Sequence, residues 1–369
     1  MFLYMKNKKI IICIIVFLVL ILGVLLIFKG KDNSSKGTTN NINNSKKNNS
    51  INSNEKQQNI NPNIFTIVTK SENKIYALTL DGEEIELFDI SEYNGGSIYT
   101  YINGKLYLYL NKYTDKNTNK SILGYIDLTK EDYEFTKLTD LEIKGTPSSI
   151  AVADNKIYFT SSVYDGIYRY NIDTKYLSNA NNIEFKEGQI PDLYTISDEL
   201  IGYAVSSTTN ESPSIGIINA KSKTKKEISN NASFEYVYNG NIIYTQYEKN
   251  DYSKWTYYEY NINDKSSKQI SDLTTSSQSI YESYIVPVDN YYIYVNKNTL
   301  YKYDNNTNEK ILEFKESIDN INLISKNKIN IVYGNIRNNN FKYQTLDLDN
   351  LKLNDAENKN TYLQVIYIK

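Results

Sequence analysis

Histidine and cysteine, which often serve as catalytic bases, nucleophiles and metal ligands, are almost missing from this sequence. Its 369 residues include no histidine and one cysteine, Cys13, in an apolar run near the N-terminus. Without histidine, Ser-His-Asp and Cys-His catalysis and His-ligated zinc are excluded. Because no cysteine follows residue 13, the rest of the chain has no disulfide and no thiolate nucleophile.

Oxygen ligands do not supply a metal site either. The segment DNNTNE, residues 304–309, carries oxygen-bearing side chains at alternate positions, as a calcium-binding loop does. However, Glu309 stands where such a loop needs glycine, and Lys315 stands where it needs a bidentate glutamate. The segment is therefore predicted to be a turn, and the sequence predicts no metal and no cofactor.

Six residues in polar segments are predicted to bind a ligand, because tyrosine, tryptophan and arginine dominate binding hot spots. They are Tyr113, Tyr164, Asp165, Tyr252, Trp255 and Arg337. Trp255 is the only tryptophan, and Arg337 is one of two arginines. The 36 tyrosines also fit a general bias towards residues with AT-rich codons, so composition by itself defines no binding surface.

The N-terminus is predicted to anchor the chain in a membrane. Residues 10–28 are 19 uncharged, mostly apolar residues, close to the ~20 that cross a bilayer as a helix. Lys6, Lys8 and Lys9 precede them, which favours a cytoplasmic tail of residues 1–9 and an extracellular remainder. A cleaved signal peptide is the alternative, but no small-residue cleavage site follows the apolar run.

Residues 29–63 are predicted to be a disordered linker, since 12 of these 35 residues are asparagine and few are apolar. The linker carries a net charge of +4, whereas residues 64–369 carry 32 basic and 41 acidic residues, a net charge of −9. An acidic domain with two arginines is a poor candidate for nucleic-acid binding. The predicted partners are therefore the lipid bilayer, through residues 10–28, and an envelope protein or glycan.

Residues 64–369 contain a repeat of alternating apolar and polar residues that ends in a polar turn. The fifth residue of the repeated segment is, in the seven copies, Thr79, Asp127, Asn171, Asn219, Asn261, Asp304 and Asp347. Successive copies are therefore 48, 44, 48, 42, 43 and 43 residues apart. In the third copy, residues 155–176, two strands are predicted to meet at a tight turn at Asp165-Gly166. A strand-rich period of ~40–50 residues is typical of a β-propeller.

The two ends of the repeat support a closed ring. Three strands are predicted at the start, in residues 64–90, and one extra strand at the end, in residues 361–369. Together they make one four-stranded blade, with the C-terminal strand innermost and beside residues 64–70. The fold class is thus all-β, a seven-bladed propeller of residues 64–369 preceded by one transmembrane helix and a disordered linker.

This arrangement resembles the seven-bladed propellers of the TolB, YWTD and related bacterial repeat families over residues 64–369. The YWTD tetrad and the WD dipeptide of another propeller family are absent, so no functional residues are carried over from them. The resemblance implies the propeller fold and leaves the function open.

The second-to-third strand connections are predicted to be long polar loops on one face, at residues 111–120, 161–166, 206–214, 248–255 and 334–341. This face is the predicted binding surface. Alternatives exist for three of its residues: Trp255 packs between blades, Arg337 is a solvated loop residue, and Asp165 serves a turn. An opening along the inner strands is a further place for a small ligand.

Two main functions compete at this stage. The leading hypothesis is a membrane-anchored extracytoplasmic binding or scaffold module that recognises an envelope protein or wall glycan. The alternative is a glycan hydrolase or lyase of the cell envelope that uses two carboxylates ~5–9.5 Å apart. A signalling receptor is a third option, but the nine residues before the apolar run are too few for an output domain.

Overall fold

The computed structural model describes residues 64–368, apart from 71–72, 94, 115–117, 131, 142–146, 162–163, 181–182, 187–188, 207–211, 250, 276–284, 305, 336–339 and 357–361. The predictions for the cytoplasmic tail, the membrane anchor and the linker fall on residues 1–63, outside the described residues. Over the part that is described, no helix has the length and apolar character to span a bilayer.

The described residues form seven antiparallel sheets, each built mainly from strands that follow one another in the sequence. The first four blades contain β1 (Ile64–Lys70), β2 (Lys74–Thr79), β3 (Glu84–Asp89); β4 (Gly96–Ile102), β5 (Lys105–Thr114), β6 (Thr118–Asp127), β7 (Phe135–Leu141); β8 (Pro147–Ala153), β9 (Lys156–Ser161), β10 (Tyr164–Asn171), β11 (Tyr176–Asn179); and β12 (Asp192–Thr195), β13 (Leu200–Val205), β14 (Ser214–Asn219), β15 (Lys225–Asn230).

The remaining strands complete blades 5 to 7 and supply one strand to blade 1. They are β16 (Ala232–Tyr238), β17 (Asn241–Glu248), β18 (Asp251–Asn261), β19 (Ser266–Gln269), β20 (Thr274–Thr275); β21 (Ile285–Val288), β22 (Tyr291–Asn296), β23 (Thr299–Asp304), β24 (Thr307–Glu313); β25 (Ile318–Ser325), β26 (Lys328–Asn335), β27 (Asn340–Asp347), β28 (Lys352–Asp355); and β29 (Tyr362–Tyr367). The predicted all-β propeller of seven blades is confirmed.

The C-terminal strand closes the ring as predicted. The first blade has the strand order β29-β1-β2-β3, so β29 is its innermost strand. It pairs antiparallel with β1, matching Ile67 with Ile366 and Val68 with Val365. The backbone amide of Ile368 donates a further hydrogen bond, 3.1 Å long, to the carbonyl of Phe65. The first and last segments of the described chain are thus held in one sheet.

The residue that marks the repeat is the last residue of the third strand in every blade, and its side chain often builds the following turn. The carboxylate of Asp127 accepts hydrogen bonds from the backbone amide and hydroxyl of Thr129, at 3.1 and 2.6 Å. The side-chain oxygens of Asn219 and Asn261 accept from backbone amides two and three residues later. Asp and Asn recur here because their short side chains mimic a backbone turn.

Asn-Gly pairs form turns between the first two strands of blades 2 and 5. Asn103 and Gly104 have φ values of 52° and 77°, and Asn239 and Gly240 have 49° and 72°. Two successive residues with positive φ are required in the hairpin turn that matches strand twist, which explains the Asn-Gly pairs.

Three local predictions are wrong. The loop predicted at residues 248–255 is mostly strand, because β17 and β18 pair from Glu248 and Asp251 onwards. Asp165 and Gly166 lie inside β10, beside a register shift between Tyr164 and Tyr168, and β9 and β10 already pair at Ser161 and Tyr164, before Asp165. Gly166 has a φ of 95°, so it serves a bulge in the strand. Likewise, most of the predicted loop at residues 111–120 is hairpin, because β5 and β6 extend to Thr114 and Thr118. Its tyrosine and threonine favour strands over loops.

The hydrophobic core lies in layers between neighbouring blades. One cluster of buried side chains joins blades 1 and 2 through residues such as Ile67 and Leu106. Further clusters join blades 2 and 3, 3 and 4, and 4 and 5, and a larger one spans blades 5 to 7 and includes Phe65 of blade 1. Each blade is therefore stabilised by the next, which leaves the two faces of the ring free to carry sites.

Candidate functional site

A cleft of about 740 Å³ opens on the face that carries the second-to-third strand connections. It lies between blades 4 and 5 and also contacts the segment that joins blades 3 and 4. The described residues that line it are Phe185, Lys186, Gln189, Tyr203, Val205, Ser212, Ser214, Lys225, Glu227, Asn230, Asn231, Gln246, Tyr247, Lys249 and Tyr252. Its volume is in the range of ligand pockets, ~300–1,000 Å³.

Aromatic rings form two walls of the cleft. Phe185 and Tyr203 meet edge to face, with ring centroids 5.1 Å apart. Tyr247 and Tyr252 meet in the same way at 5.3 Å. Such pairs hold each other in place and present rigid apolar area next to a polar hydroxyl. The cleft can therefore pack against a flat, partly apolar ligand surface such as a sugar ring.

Gly216 places the Tyr203 ring in its position on the wall. A Cβ atom at residue 216 would lie 2.5 Å from the Tyr203 ring and hydroxyl, and 2.3 Å from the backbone oxygen of Lys226. Only glycine leaves room for the ring to lie across strand β14 at this point.

Side-chain amides hold the floor between blades 4 and 5. The Nε2 of Gln246 donates to the carbonyl oxygens of Asn230 and Asn231, at 2.7 and 3.1 Å. In return, the Nδ2 of Asn231 donates to the carbonyl of Tyr247 at 2.8 Å. These bonds fix the connection between the two blades, so the cleft is a preformed surface.

Positive charge dominates the wall of the cleft, although the domain as a whole is acidic. Three lysines, Lys186, Lys225 and Lys249, face one acidic residue, Glu227. The Nζ of Lys225 lies 4.1 Å from the centre of the Phe185 ring and donates a 2.6 Å hydrogen bond to the carbonyl of Glu184. Burial lowers the pKa of Lys225, and burial, with a smaller effect from Glu227, raises the pKa of Tyr203 to about 12.

The structure brings one predicted site residue into this cleft. Tyr252 lines it, beside Asp251, whose pKa is lowered to about 2 by hydrogen bonds from Lys254 and Ser253. Trp255, three residues further along β18, is only 5 % exposed and packs in the cluster of blades 5 to 7. This is the packing alternative considered from the sequence.

The other predicted residues are spread over different blades. Tyr113 is in β5 of blade 2, paired with Asn119. Tyr164 and Asp165 are in β10 of blade 3. Arg337 lies outside the described residues. Sequence reasoning missed Phe185, Tyr203 and Lys225, because they lie in three segments whose approach is a tertiary event and no local pattern marks them.

A second polar cluster lies on the inner strands, around the axis of the ring. Asp192 and Tyr194 are on β12, Tyr99 is on β4 and Glu235 is on β16. Burial raises the pKa of Asp192, and none of the described residues donates a hydrogen bond to its carboxylate. Burial also raises the pKa of Tyr194, with smaller contributions from Asp192 and Glu235.

Tyrosine rings fill the axis next to this cluster. Tyr236 of blade 5 and Tyr367 of blade 1 are not on adjacent blades, yet their ring centroids are 5.5 Å apart. Because these two side chains meet across the centre of the propeller, they fill its axis at this level. Among the described residues, those of this cluster included, no group of three or more acidic side chains is arranged to hold a metal ion.

Comparison with known proteins supports the fold and goes no further. No protein-family model and no curated protein sequence matches the chain. Among solved structures, an uncharacterised protein of Listeria monocytogenes is similar over 80 % of this chain and 94 % of its own, with a TM-score of 0.50 and 14 % identity.

Two enzymes are also similar in fold. Dipeptidyl peptidase 4 of Porphyromonas gingivalis matches over 82 % of this chain, with a TM-score of 0.49 and 9 % identity, and the chain spans only 53 % of that enzyme. An oligogalacturonate lyase in complex with manganese matches over 80 % of this chain and 84 % of its own, with a TM-score of 0.43 and 11 % identity. At these identities the likeness concerns the fold alone.

Proposed function

We propose that this protein is a membrane-anchored binding module that recognises an anionic glycan of the cell envelope through the cleft between blades 4 and 5. The observation that carries the proposal is the composition of the cleft wall. It combines two pairs of aromatic rings with three lysines and one glutamate in a domain of net charge −9. Aromatic rings pack against sugar faces, and lysines attract carboxylate or phosphate groups.

Location and partners are part of this proposal. The apolar residues 10–28 and the three lysines before them support an anchor in the cell membrane, with the N-terminus in the cytoplasm and the propeller outside. The polar residues 29–63 support a tether that lets the propeller reach a neighbouring polymer. Kinship with the TolB and YWTD propellers also stays a proposal, supported by the strand period.

Tyr252→Ala is expected to weaken glycan binding about tenfold, since truncating an aromatic residue at a hot spot costs more than ~1 kcal/mol and 1.4 kcal/mol is tenfold. The measurement is calorimetric titration of the full chain with anionic and neutral wall-glycan pools. Affinity for the anionic pool should also fall as salt rises.

Tyr176→Ala is the matched control for this titration. Tyr176 is a 67 % exposed tyrosine on the outer strand of blade 3, away from the cleft, and its loss should leave the affinity unchanged. An equal effect of the two substitutions would contradict the proposed cleft. Retention of an envelope protein and no glycan would replace the glycan by a protein partner.

The inner cluster favours a second candidate, a carboxylate-based glycan hydrolase or lyase. Asp192 and Glu235 are on the inner strands of adjacent blades, and the charges of both raise the pKa of Tyr194. A buried carboxyl group with a raised pKa suits a general acid, and a second carboxylate suits a base or nucleophile. Product analysis after incubation with the same glycan pools separates this candidate from simple binding.

Asp192→Asn is expected to raise the melting temperature at pH 7. The folded-state pKa of Asp192 is raised by burial, so its ionised form lowers stability at neutral pH. As pH falls through the raised pKa towards the ordinary value of ~4, the wild type becomes protonated and the difference should disappear. Thermal unfolding between pH 4 and pH 8 measures this effect, and a pH-independent difference would contradict it.

A further inference from the structure

A second cavity, of about 430 Å³, lies where the last blade meets the first. On the blade 1 side it is bordered by the turn between β2 and β3, and on the blade 7 side by β26, β27 and β28. The turn between β2 and β3 is on the face opposite the cleft between blades 4 and 5. The two cavities are therefore separate sites.

The two blades are in close contact at this seam. The backbone amide of Lys326 in blade 7 donates a 3.1 Å hydrogen bond to the carbonyl of Leu80 in blade 1. Gly82 has a φ of 86°, and a Cβ there would lie 3.4 Å from the Cβ of Ser325. The positive φ of Gly82 shapes the turn that brings Asp81 to the cavity wall.

The wall is strongly acidic. Four carboxylates line the cavity against one lysine, which gives a local charge of −3: Asp81, Glu84, Asp347, Asp355 and Lys328. Asp347 is partly engaged, because its Oδ1 accepts hydrogen bonds from the backbone amides of Asp349 and Asn350. Asp355 accepts a long hydrogen bond, 3.4 Å, from Gln344.

A buried acceptor gives an independent indication of a ligand. Asn330 also lines the cavity and is only 5 % exposed, and none of the described residues donates a hydrogen bond to its Oδ1. An unpaired buried polar atom costs about 1–3 kcal/mol, so such atoms are rare and need a reason. A ligand that donates hydrogen bonds and carries positive charge would satisfy both Asn330 and the carboxylates.

We propose that the seam cavity binds a linear organic polycation, such as a di- or triamine with ammonium groups separated by short methylene chains. The carboxylates are distributed around a volume far larger than one ion, and no three of the described acidic side chains converge as metal ligands. Separate ammonium groups can pair with separate carboxylates, while Leu78 and Ala356 provide apolar contact for the methylenes.

Spermidine is the probe for this site, with the full chain and with sodium chloride at matched ionic strength as the baseline. Saturable binding by calorimetry and a rise in melting temperature are expected, because a ligand that bridges blades 7 and 1 binds only the closed ring. Asp81→Asn should weaken binding about two- to fivefold, the range of one exposed charge pair. Lys328→Gln should strengthen it by a similar factor.

Asn330→Leu removes the buried acceptor and should weaken binding about tenfold, as expected for a hydrogen bond to a charged group. Should this core variant fail to fold, the two surface variants still test the site. Asp132→Asn is the charge-matched control in blade 2 and should bind spermidine like the wild type. Equal affinities in wild type, Asp81→Asn and Lys328→Gln, or an equal loss in Asp132→Asn, would overturn the proposal.

Discussion

Deletion of residues 361–369 is expected to abolish the cooperative unfolding transition of the propeller. Strand β29 provides the innermost strand of blade 1 and pairs with β1, whose Ile67 and Val68 are almost fully buried. Val365, Ile366 and Tyr367 are lost with it. These three side chains are half-buried, so at about half of the ~1.5–3 kcal/mol for a fully buried apolar side chain they contribute about 2–5 kcal/mol, and uncovering Ile67 and Val68 adds about 3–6 kcal/mol. This is comparable to the net stability of a whole domain, ~5–15 kcal/mol.

Thermal and urea unfolding, followed by circular dichroism, measure this effect. Ile366→Val is the conservative control, because it keeps the strand and removes one methylene from the cluster of blades 1 and 2, at a cost of about 0.5–1.5 kcal/mol. A peptide of residues 361–369 added to the truncated protein should restore part of the transition. A truncated protein that melts like the full chain would show that β29 contributes little to the free energy of unfolding of the propeller.

Trp255→Ala is expected to lower the free energy of unfolding by about 3–5 kcal/mol, the usual cost of truncating a large buried aromatic residue. Trp255 is 5 % exposed and contacts Tyr257 edge to face, with ring centroids 6.4 Å apart. It belongs to the same buried cluster as Ile270 and Ile285. The folded fraction should keep its affinity for the glycan, because Trp255 does not line the cleft.

Tyr252 on the same strand provides a matched comparison. Tyr252→Ala should weaken glycan binding about tenfold with little loss of stability, whereas Trp255→Ala should lower stability and leave the affinity unchanged. Trp255→Phe retains a ring in the cluster and should recover much of the stability. If Trp255→Ala instead melts like the wild type and loses binding, the tryptophan reaches the ligand and its position in the core is wrong.

The two binding proposals are independent of each other. The glycan cleft depends on blades 4 and 5 and a surplus of lysine, whereas the seam cavity depends on blades 7 and 1 and a surplus of carboxylate. Tyr252→Ala should leave the response to spermidine unchanged, and Asp81→Asn should leave glycan binding unchanged. Failure of one proposal would therefore not affect the other.

Much of the fold could be predicted from the sequence, because its determinants are local. Alternation of apolar and polar residues defines a strand, and Asn-Gly pairs with positive φ define the turns between strands. Asp127, Asn219 and Asn261 recur at a fixed place because each builds the turn after its own strand. Local signals repeated seven times predicted the number of blades. The three strands at the start and the single extra strand at the end predicted that the two ends share one blade.

Local signals were less reliable where two structures suit the same residues. Asp165-Gly166 has the composition of a hairpin turn, but the register with β9 places Gly166 at a bulge. Residues 111–120 have the polarity of a loop, but pairing between β5 and β6 extends the hairpin through most of them. In both segments, pairing with the neighbouring strand overrides composition.

The sites were decided only by tertiary structure. Phe185, Tyr203 and Tyr252 are far apart in the sequence and share a cleft because blades 3, 4 and 5 are adjacent. Asp81 and Asn330 are 249 residues apart and meet because closure of the ring brings the first and last blades together. The sequence by itself thus determined strands, turns and their repetition, which depend on neighbouring residues. Cavity shape, charge and burial depend on how the blades pack, and single strands do not encode them.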